Sequence, residues 1–303
     1  MTNPVDAFLS QANSIILGKE NTLKLALSCI IANGHLLIED IPGVGKTTLA
    51  HTFATLLGLD FQRIQFTSDL LPADILGSSV FDRDNNNFEF HPGPVFSSFI
   101  LADEINRATP KTQSALLEAM EERQVTIEKT TYPMATPFIV IATQNPGHQV
   151  GTFPLPESQL DRFLMRLSIG YPDALSEKIL LTGVDSRQKL SALSTALSAE
   201  QLIQLQQSCP KVHCADPLIA YVQALLDFSR TSPLFVQGLS PRAGIGLIQS
   251  AKAWALIDNR DSVYPEDIQA VLSATTEHRL SLQNKAASDQ RAAHVLLTEV
   301  AIP

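Results

Sequence analysis

The segment from His35 to Gly58, HLLIEDIPGVGKTTLAHTFATLLG, constrains the fold more than any other part of this sequence. An apolar run, Leu36–Ile38, precedes a loop with two glycines, and an amphipathic helical pattern follows. Backbone N–H groups at a helix N-terminus can surround a phosphate, and glycine lets the backbone approach it closely. The segment therefore predicts a strand, a phosphate-binding loop and a helix that ends near Gly58.

The loop and the first helical turn carry the residues that we expect to bind a nucleotide. They are Gly43, Val44, Gly45, Lys46, Thr47 and Thr48. Lys46 is expected to reach the β- and γ-phosphates, and the Thr47 hydroxyl to bind Mg²⁺. The full pattern has glycine where this chain has Asp40, but aspartate tolerates left-handed backbone better than most residues. The predicted cofactors are ATP and Mg²⁺.

Acidic and amide side chains follow two further apolar runs. Asp103 and Glu104 end the run in SSFILADEINRA, and Asn145 ends FIVIATQNP. Open α/β sheets place ligands at the carboxyl ends of their strands, so Asp103 is expected to serve as a Mg²⁺ ligand and Glu104 to activate water. Asn145 is expected to hold that water or the γ-phosphate. An activating carboxylate favours hydrolysis over phosphotransfer, although each motif alone also fits an ordinary loop start or turn.

Two arginines complete the predicted catalytic set of Glu104, Asn145, Arg162 and Arg242. Arg162 lies in LPESQLDRFLMRL and Arg242 in GLSPRAGIG, both at helix-associated positions from which a guanidinium can reach phosphate. Arg166 could serve in place of Arg162. An isolated surface arginine is more commonly a salt-bridge partner, so both assignments remain open.

The pattern along the chain predicts an α/β class with a parallel sheet, followed by helices. Apolar runs such as Phe61–Phe66, Phe99–Ala102 and Phe138–Ala142 alternate with helical patterns up to about residue 170, which favours strands buried on both faces. Beyond about Asp185 only three-and-four apolar spacing remains. We expect a nucleotide-binding domain over 1–186 and a smaller all-α lid domain over 187–303, with the boundary between Gly183 and Ser198.

Two segments have the alternation of β-hairpins. Residues 81–96, FDRDNNNFEFHPGPVF, place Asn85–Asn87 where a tight turn is expected, and residues 124–137 form the second candidate. Each hairpin either contacts a client or a neighbouring subunit, or is a surface loop.

Composition narrows the function classes. The formal charge of -9 disfavours a nucleic-acid partner, and no uncharged run approaches the length of a membrane span. Three cysteines and an N-terminus without a basic start and an apolar stretch indicate a cytoplasmic protein. Cys209, His213 and Cys214 are spaced poorly for zinc and lack a nearby fourth ligand, so we expect ordinary thiols there.

The ordered set GVGKTT, ILADEINRA, ATQNP, LPESQLDRF and GLSPRA closely resembles the MoxR family of AAA+ ATPases over nearly the whole chain. The resemblance implies an AAA+ P-loop core with a helical lid and a role for each motif. It implies a Walker A loop over Gly43–Thr48, a Walker B pair at Asp103 and Glu104, sensor 1 at Asn145, an arginine finger at Arg162 and sensor 2 at Arg242. The hairpins are similar to the helix-2 insert and the hairpin before sensor 1. In IILGKEN, Gly18-Lys19 stands where relatives commonly have Gly-Gln, which puts Lys19 at the expected edge of the adenine pocket. This departure concerns the contacts to the base and not hydrolysis.

The resemblance also implies a biological role. Family members form ring-shaped hexamers and act as chaperone-like ATPases, commonly with a partner that carries a von Willebrand factor A domain, to mature other enzymes or insert metal or cofactor. Two alternatives stay open: a magnesium-chelatase-like or DNA-acting ring motor, and a non-catalytic scaffold that senses nucleotide. The client protein cannot be identified from the sequence.

Overall fold

The computed structural model describes residues 3–84, 86–146, 151–182, 186–283 and 291–302, with only the backbone at 186–188. Contacts between Cα atoms divide the chain into two compact units. The first contains residues 1–19, 37–162 and 168–199, and the second contains residues 20–36, 163–167 and 200–303. No helix of the described residues is long and apolar enough to cross a lipid bilayer.

Strands and helices are numbered in chain order over these described ranges. The strands are β1 (Leu36–Glu39), β2 (Phe61–Gln65), β3 (Gly77–Asp82), β4 (Asn87–Pro92), β5 (Phe99–Asp103), β6 (Gln124–Ile127), β7 (Thr130–Pro133), β8 (Ile139–Gln144) and β9 (Met165–Leu167). The helices are α1 (Pro4–Ile15), α2 (Glu20–Ile31), α3 (Lys46–Leu57), α4 (Pro72–Leu76), α5 (Pro110–Glu122), α6 (Glu157–Leu160), α7 (Ala174–Leu181), α8 (Ser186–Ser191), α9 (Ala199–Ser208), α10 (Asp216–Thr231), α11 (Pro241–Ile257), α12 (Pro265–Thr276) and α13 (Ala292–Glu299).

A five-stranded sheet with the order β2-β5-β8-β1-β9 confirms the predicted α/β class. Both β2 and β8 run parallel to β5, with Phe99 opposite Phe61 on one side and Ile139 on the other. Every residue of β5 is buried, as the continuous apolar run predicts for a strand covered on both faces. Because β5 and β8 are parallel neighbours, their carboxyl ends bring Asp103 and the chain after Gln144 to one edge of the sheet.

The α3 helix begins and ends at glycines with left-handed backbone. Gly45 precedes the first turn with φ 95°, and Gly58 follows Leu57 with φ 61°. The Gly58 N–H donates to carbonyls of the last turn, which satisfies groups that a helix end leaves unpaired. The predicted strand, glycine loop and helix are all present.

Both predicted hairpins form. Strands β3 and β4 pair antiparallel from Gly77 opposite Pro92 to Asp82 opposite Asn87. Asn86 has φ 49° in the turn, as expected for an asparagine there, whereas Asn85 lies outside the described residues. In the second hairpin, β6 and β7 are joined by a short turn in which Glu128 has φ 55°.

Three aromatic rings, which we call the hairpin aromatic cluster, connect these two hairpins. Phe90 of β4 stacks on Tyr132 of β7, with ring centroids 4.3 Å apart and planes inclined by 27°. Phe96 packs edge-on against both, at 5.8 Å from Phe90 and 6.4 Å from Tyr132. Such pairs stabilise a contact beyond the area they bury. The two hairpins therefore pack against each other through side chains.

The second unit consists mainly of helices, as the spacing beyond residue 185 predicts. Its longest helix, α11, contacts α2, α10 and α12. Lys24 of α2 pairs with Asp258 at 2.5 Å and lies 4.0 Å from the ring centre of Trp254, which fixes α2 to the end of α11. This packing groups residues 20–36 with the later helices. The predicted boundary near residue 186 stays a prediction, and part of it, Gly183–Asp185, lies outside the described residues.

Candidate functional site

The glycine loop between β1 and α3 has the backbone of a phosphate cradle. Gly43 has φ 87° and Gly45 has φ 95°, conformations that residues with a Cβ rarely adopt. A Cβ added at either glycine would meet no heavy atom within 4 Å, so the backbone conformation rather than crowding requires glycine. The space beside these two glycines is empty, so a ligand can approach the loop at the start of α3.

Lys46, the first residue of α3, begins a chain of polar contacts that reaches Glu104. Its Nζ atom contacts the carbonyl oxygen of Asp40, lies 3.2 Å from the carbonyl oxygen of Ile41, and donates to Asn145 Oδ1 at 2.8 Å. Asn145 Nδ2 in turn donates to Glu104 Oε1 at 3.2 Å. The structure thus brings together three residues that the sequence predicts for one site from three separate segments.

The charge of Lys46 depends on its neighbours. Burial of the ammonium group lowers its pKa, and the carboxylates of Asp40, Asp103 and Glu104 act in the opposite direction, with a net lowering. A cation in this position attracts an anionic phosphate more strongly than an exposed lysine would, because the surrounding dielectric screens it less. Lys46 is therefore suited to bind a phosphate presented by the loop.

Thr143, which the sequence reasoning missed, connects the two acidic residues. Its Oγ1 atom donates to Asp103 Oδ1 at 2.6 Å and accepts the Glu104 N–H at 2.9 Å. Glu104 has φ 56° and ψ 48°, a left-handed conformation that is uncommon for a residue other than glycine. Thr143 is fully buried, and a polar residue at the end of an apolar strand was the available signal.

Two polar residues of β2, also missed from the sequence, hold the acidic pair from the opposite side. Arg63 donates to Asp103 Oδ2 through Nε at 3.1 Å and Nη2 at 2.6 Å. Gln65 Nε2 donates to Glu104 Oε2 at 3.1 Å, and Arg107 Nη1 donates to the same oxygen at 2.9 Å. Arg63 and Gln65 are two residues apart and so share one face of their strand, which is the pattern that could have indicated them.

Asp40, which replaces the first glycine of the loop motif, has a structural role. Its Oδ2 atom accepts the Ser168 hydroxyl at 2.9 Å and the N–H groups of Ile169 and Gly170, each at 2.6 Å, while Oδ1 accepts the Ile41 N–H at 2.8 Å. Burial alone would raise the pKa of Asp40, but these four hydrogen bonds outweigh it and lower the pKa. The carboxylate therefore ties the loop to the segment after β9.

A cavity of about 400 Å³ adjoins the loop, a size typical of sites for small ligands. Its lining includes Lys19, residues 42–45 and 169–172, and Thr48. Lys19 Nζ donates to the Tyr171 carbonyl at 2.7 Å, so its ammonium group lies in the cavity wall. The departure noted at Lys19 thus falls beside a space large enough for a nucleobase, between the phosphate loop and the segment fixed by Asp40.

The predicted arginines lie in different parts of the fold. Arg162 follows α6 and pairs with Glu121 of α5, Nε to Oε2, at 2.9 Å. Arg166 in β9 and Arg242 in the first turn of α11 belong to the second unit. Their roles at the phosphates stay predictions.

Oxygen donors suited to Mg²⁺ are available from the predicted ligands. Thr47 is exposed in the first turn of α3, and Asp103 Oδ1 has acceptor capacity beyond its bond with Thr143. Magnesium prefers a few such oxygens together with phosphate and water, so the residues present fit this metal.

Cys209, which the sequence analysis considered with His213 and Cys214 for zinc binding, is a buried thiol. Burial raises the pKa of Cys209 to about 11, and its Sγ atom lies 3.6 Å from the Gln249 carbonyl oxygen. Over the described ranges, no three His, Cys, Asp or Glu side chains are arranged to hold a metal ion.

Comparisons with known proteins agree with this organisation. A family described as the ATPase family associated with various cellular activities (AAA) matches residues 35–165, and an AAA lid domain matches residues 228–299. Chaperone MoxR1 of Mycobacterium tuberculosis is 38% identical over 96% of this chain and 79% of its own length. Protein MoxR of Paracoccus denitrificans is 30% identical over 89% of this chain and 86% of its own length.

Two further proteins match most of the chain. YeaC of Bacillus subtilis is 42% identical over 95% of this chain and 90% of its own length. A crystal structure from Cytophaga hutchinsonii, described as a candidate ATPase, superposes with a TM-score of 0.88 at 38% identity and covers 99% of this chain and 95% of that one.

Proposed function

The chain belongs to the MoxR family of AAA+ ATPases, and from this premise we propose that it hydrolyses ATP with Mg²⁺ in a ring-shaped oligomer that remodels a partner protein. The observation that carries the proposal is the hydrogen-bonded series from Lys46 through Asn145 to Glu104. It gives one site a phosphate-binding cation, an amide and a carboxylate. Those are the groups that phosphate hydrolysis by water requires.

Each residue of the series has a distinct part in the proposed reaction. Lys46 and the loop N–H groups bind the β- and γ-phosphates, and Asn145 orients the γ-phosphate and the attacking water. Glu104 accepts a proton from the attacking water. The water oxygen bonds to the γ-phosphorus, and the bond between that phosphorus and the oxygen that bridges it to the β-phosphate breaks. Mg²⁺, held by Thr47 and Asp103, would neutralise charge on the phosphates.

Substitution of Glu104 and Lys46 separates binding from hydrolysis. We expect Glu104→Gln to lower the ATPase rate by about 10²- to 10⁴-fold and to keep nucleotide affinity, because the amide cannot take the proton. Lys46→Ala should lose both ATPase activity and nucleotide affinity, because the cation that binds the phosphates is removed. The measurements are phosphate release and binding of a fluorescent ATP analogue.

Two exposed residues of α5 supply matched controls for these variants. Glu118→Gln and Lys111→Ala make the same chemical changes at exposed positions and should behave as wild type. An unchanged hydrolysis rate in Glu104→Gln would contradict the role given to this carboxylate. Hydrolysis no faster than buffer in the wild type, over protein concentrations that favour rings, would support the scaffold alternative.

The ring and its partner are the finer part of the proposal. The resemblance to the MoxR family implies a hexamer and a partner with a von Willebrand factor A domain, and we include both in the proposal. The first hairpin exposes Phe81 and Phe88 beside Asp82 and Asp84, with Arg83 as the basic residue of that turn, which suits a protein client better than a phosphate backbone. The cytoplasmic location and the domain boundary stay predictions.

A trapped complex would identify the partner. Tagged Glu104→Gln protein, purified with ATP from its native cell, should retain the partner because the nucleotide is not consumed, and mass spectrometry would identify it. Recovery of an A-domain protein that is lost with Lys46→Ala would support the proposal. Recovery of nucleic acid alone would favour the DNA-acting alternative.

A further inference from the structure

Arg63 binds the acidic residue to which the proposed function assigns the metal. The guanidinium places two N–H groups on one oxygen, Asp103 Oδ2, at 3.1 and 2.6 Å. The Arg63 side chain is 49% exposed, whereas that of Asp103 is 9% exposed. A solvent-facing cation therefore reaches inward to a buried carboxylate from β2, at the outer end of the strand order.

The contacts of Asp103 use most of its capacity to accept hydrogen bonds. A carboxylate offers about four acceptor positions on its two oxygens. Arg63 takes two on Oδ2, and Thr143 takes one on Oδ1. A cation, or a water molecule bound to one, therefore has a single position left on Oδ1 unless Arg63 moves away from Oδ2.

The positive charge of Arg63 also weakens the binding of a cation at Asp103. Arginine stays protonated at any ordinary pH, so Arg63 always cancels much of the field of Asp103. Glu104, the second acidic residue, is likewise paired with Arg107. A divalent cation approaching Asp103 thus meets a carboxylate that is already neutralised by a neighbouring side chain, and its binding is weaker than an unpaired aspartate would allow.

We propose that Arg63 competes with the divalent cation for Asp103 and thereby sets the metal affinity of the nucleotide site. The proposal rests on the proposed function, because the cation binds together with nucleotide. Arg63 is a positioning residue in this account, since it acts through Asp103.

The affinity for Mn²⁺, a paramagnetic substitute for Mg²⁺, tests the competition directly. Free Mn²⁺ is measured by electron paramagnetic resonance during titration of protein saturated with ADP. We expect Arg63→Gln to bind Mn²⁺ about tenfold more tightly than wild type, because one positive charge close to the metal is removed. Arg63→Lys keeps the charge but loses the pair of hydrogen bonds from one guanidinium to Asp103 Oδ2. We therefore expect this variant to bind Mn²⁺ about threefold more tightly than wild type.

A matched control and a second measurement complete the design. Arg83→Gln removes an equal charge from the exposed hairpin turn and should leave the affinity unchanged. Without metal, Arg63→Gln should melt at a lower temperature than wild type, and Mn²⁺ with ADP should raise its melting temperature by more than that of wild type. If Arg63→Gln does not fold, the Lys variant alone decides the outcome.

Equal or weaker Mn²⁺ binding in Arg63→Gln, or in Arg63→Lys where only that variant folds, would overturn the inference. Weaker binding would mean that Arg63 orients Asp103 for the metal. These results are distinct from a failure of the proposed function, which would appear in the wild type as absence of any nucleotide-dependent Mn²⁺ binding.

Discussion

The backbone of Glu104 shows how this site stores strain. A non-glycine residue in the left-handed region costs on the order of 1–2 kcal/mol, and such residues persist where surrounding contacts hold them. Thr143 supplies one such contact by accepting the Glu104 N–H at 2.9 Å. The conformation turns the Glu104 side chain toward Asn145, so the cost serves the position of the proposed proton acceptor.

Substitution of Asp40 should destabilise the protein in a pH-dependent manner. Asp40→Ala leaves one buried and two partly buried N–H groups without this acceptor and is expected to lower the free energy of unfolding by about 3 kcal/mol at pH 7. Because the folded-state pKa of Asp40 is lowered, its contribution is present above the unfolded pKa of about 3.9 and disappears as pH falls through the folded value. Urea unfolding at several pH values measures it.

The comparison for this prediction is between two isosteric variants. Asp40→Asn should lose stability relative to wild type at pH 7, and this difference should shrink below about pH 4. Asp84→Asn changes an exposed aspartate and should be neutral throughout. A difference that stayed constant down to pH 3 would show that charge is not what Asp40 contributes.

Residues of the site differ in how far the sequence predicts them. Lys46 could be placed because the loop motif is local, and Glu104 and Asn145 because each directly follows a recognisable apolar strand. For Arg63 and Thr143 the sequence offers a polar residue on a strand but no role, because their contacts depend on which strands are neighbours and on their register. The order β2-β5-β8 puts them on either side of Asp103, and no short segment of sequence contains that information.

Among the elements, four strands of the sheet, both hairpins and the helices of the later part of the chain were predicted, whereas the shortest helices were not. The apolar runs of the sheet and the periodic segments that form α9–α12 are confirmed. In contrast, α4 has five residues and α6 has four, which is too short for a helical period to be recognised. The start of α4 depends instead on one contact, in which Asp74 accepts the Leu71 N–H at 2.8 Å.

The segment after α12 should make the second unit sensitive to mild acid. His278 is buried and its Nε2 lies 3.0 Å from the Phe163 carbonyl oxygen. Burial, and then the charges of Arg279 and Arg166, lower its pKa well below 6.5, although the contact with Phe163 acts against this. The folded state thus resists protonation, and stability should fall by about 1.4 kcal/mol per pH unit below about 6.5.

Variants of two histidines isolate this contribution. His278→Gln can still donate to the Phe163 carbonyl and should remove that part of the pH slope between about pH 6.5 and 5. His294→Gln, at an exposed position of α13, should retain the full slope. Chemical denaturation at fixed pH steps gives the slopes, and equal slopes in wild type and His278→Gln would refute the assignment.

At the scale of the whole molecule, the order of motifs predicted the family and the two-part architecture, but not which segments pack together. Residues 20–36 precede the glycine loop in sequence, yet their contacts place them with the later helices. Helix α2 buries apolar residues such as Leu23 and Ile30, and the pattern shows which face is apolar without showing its partner. Long-range packing of this kind is absent from local periodicity.

Mixing experiments test whether Arg162 acts on a neighbouring subunit. Arg162 Nε is paired with Glu121 Oε2 at 2.9 Å in the single chain. Lys46→Ala and Arg162→Ala proteins should each be inactive. Mixed rings should recover about a quarter of the wild-type rate, since some sites combine an intact loop with an intact neighbouring arginine.

The mixing experiment can also contradict action of Arg162 on a neighbouring subunit. No recovery, although cross-linking shows mixed rings, would mean that Arg162 acts within its own chain or not at the phosphates. Arg166→Ala, treated in the same way, separates the two candidate arginines.

The hairpin aromatic cluster makes one mechanical unit of two loops that are distant in sequence. Because the rings of Phe90 and Tyr132 lie face to face at 4.3 Å, a force applied to one hairpin is transmitted to the other without crossing the sheet. A force from a bound partner that would bend a single hairpin therefore acts on both, and displacement of one hairpin displaces the other.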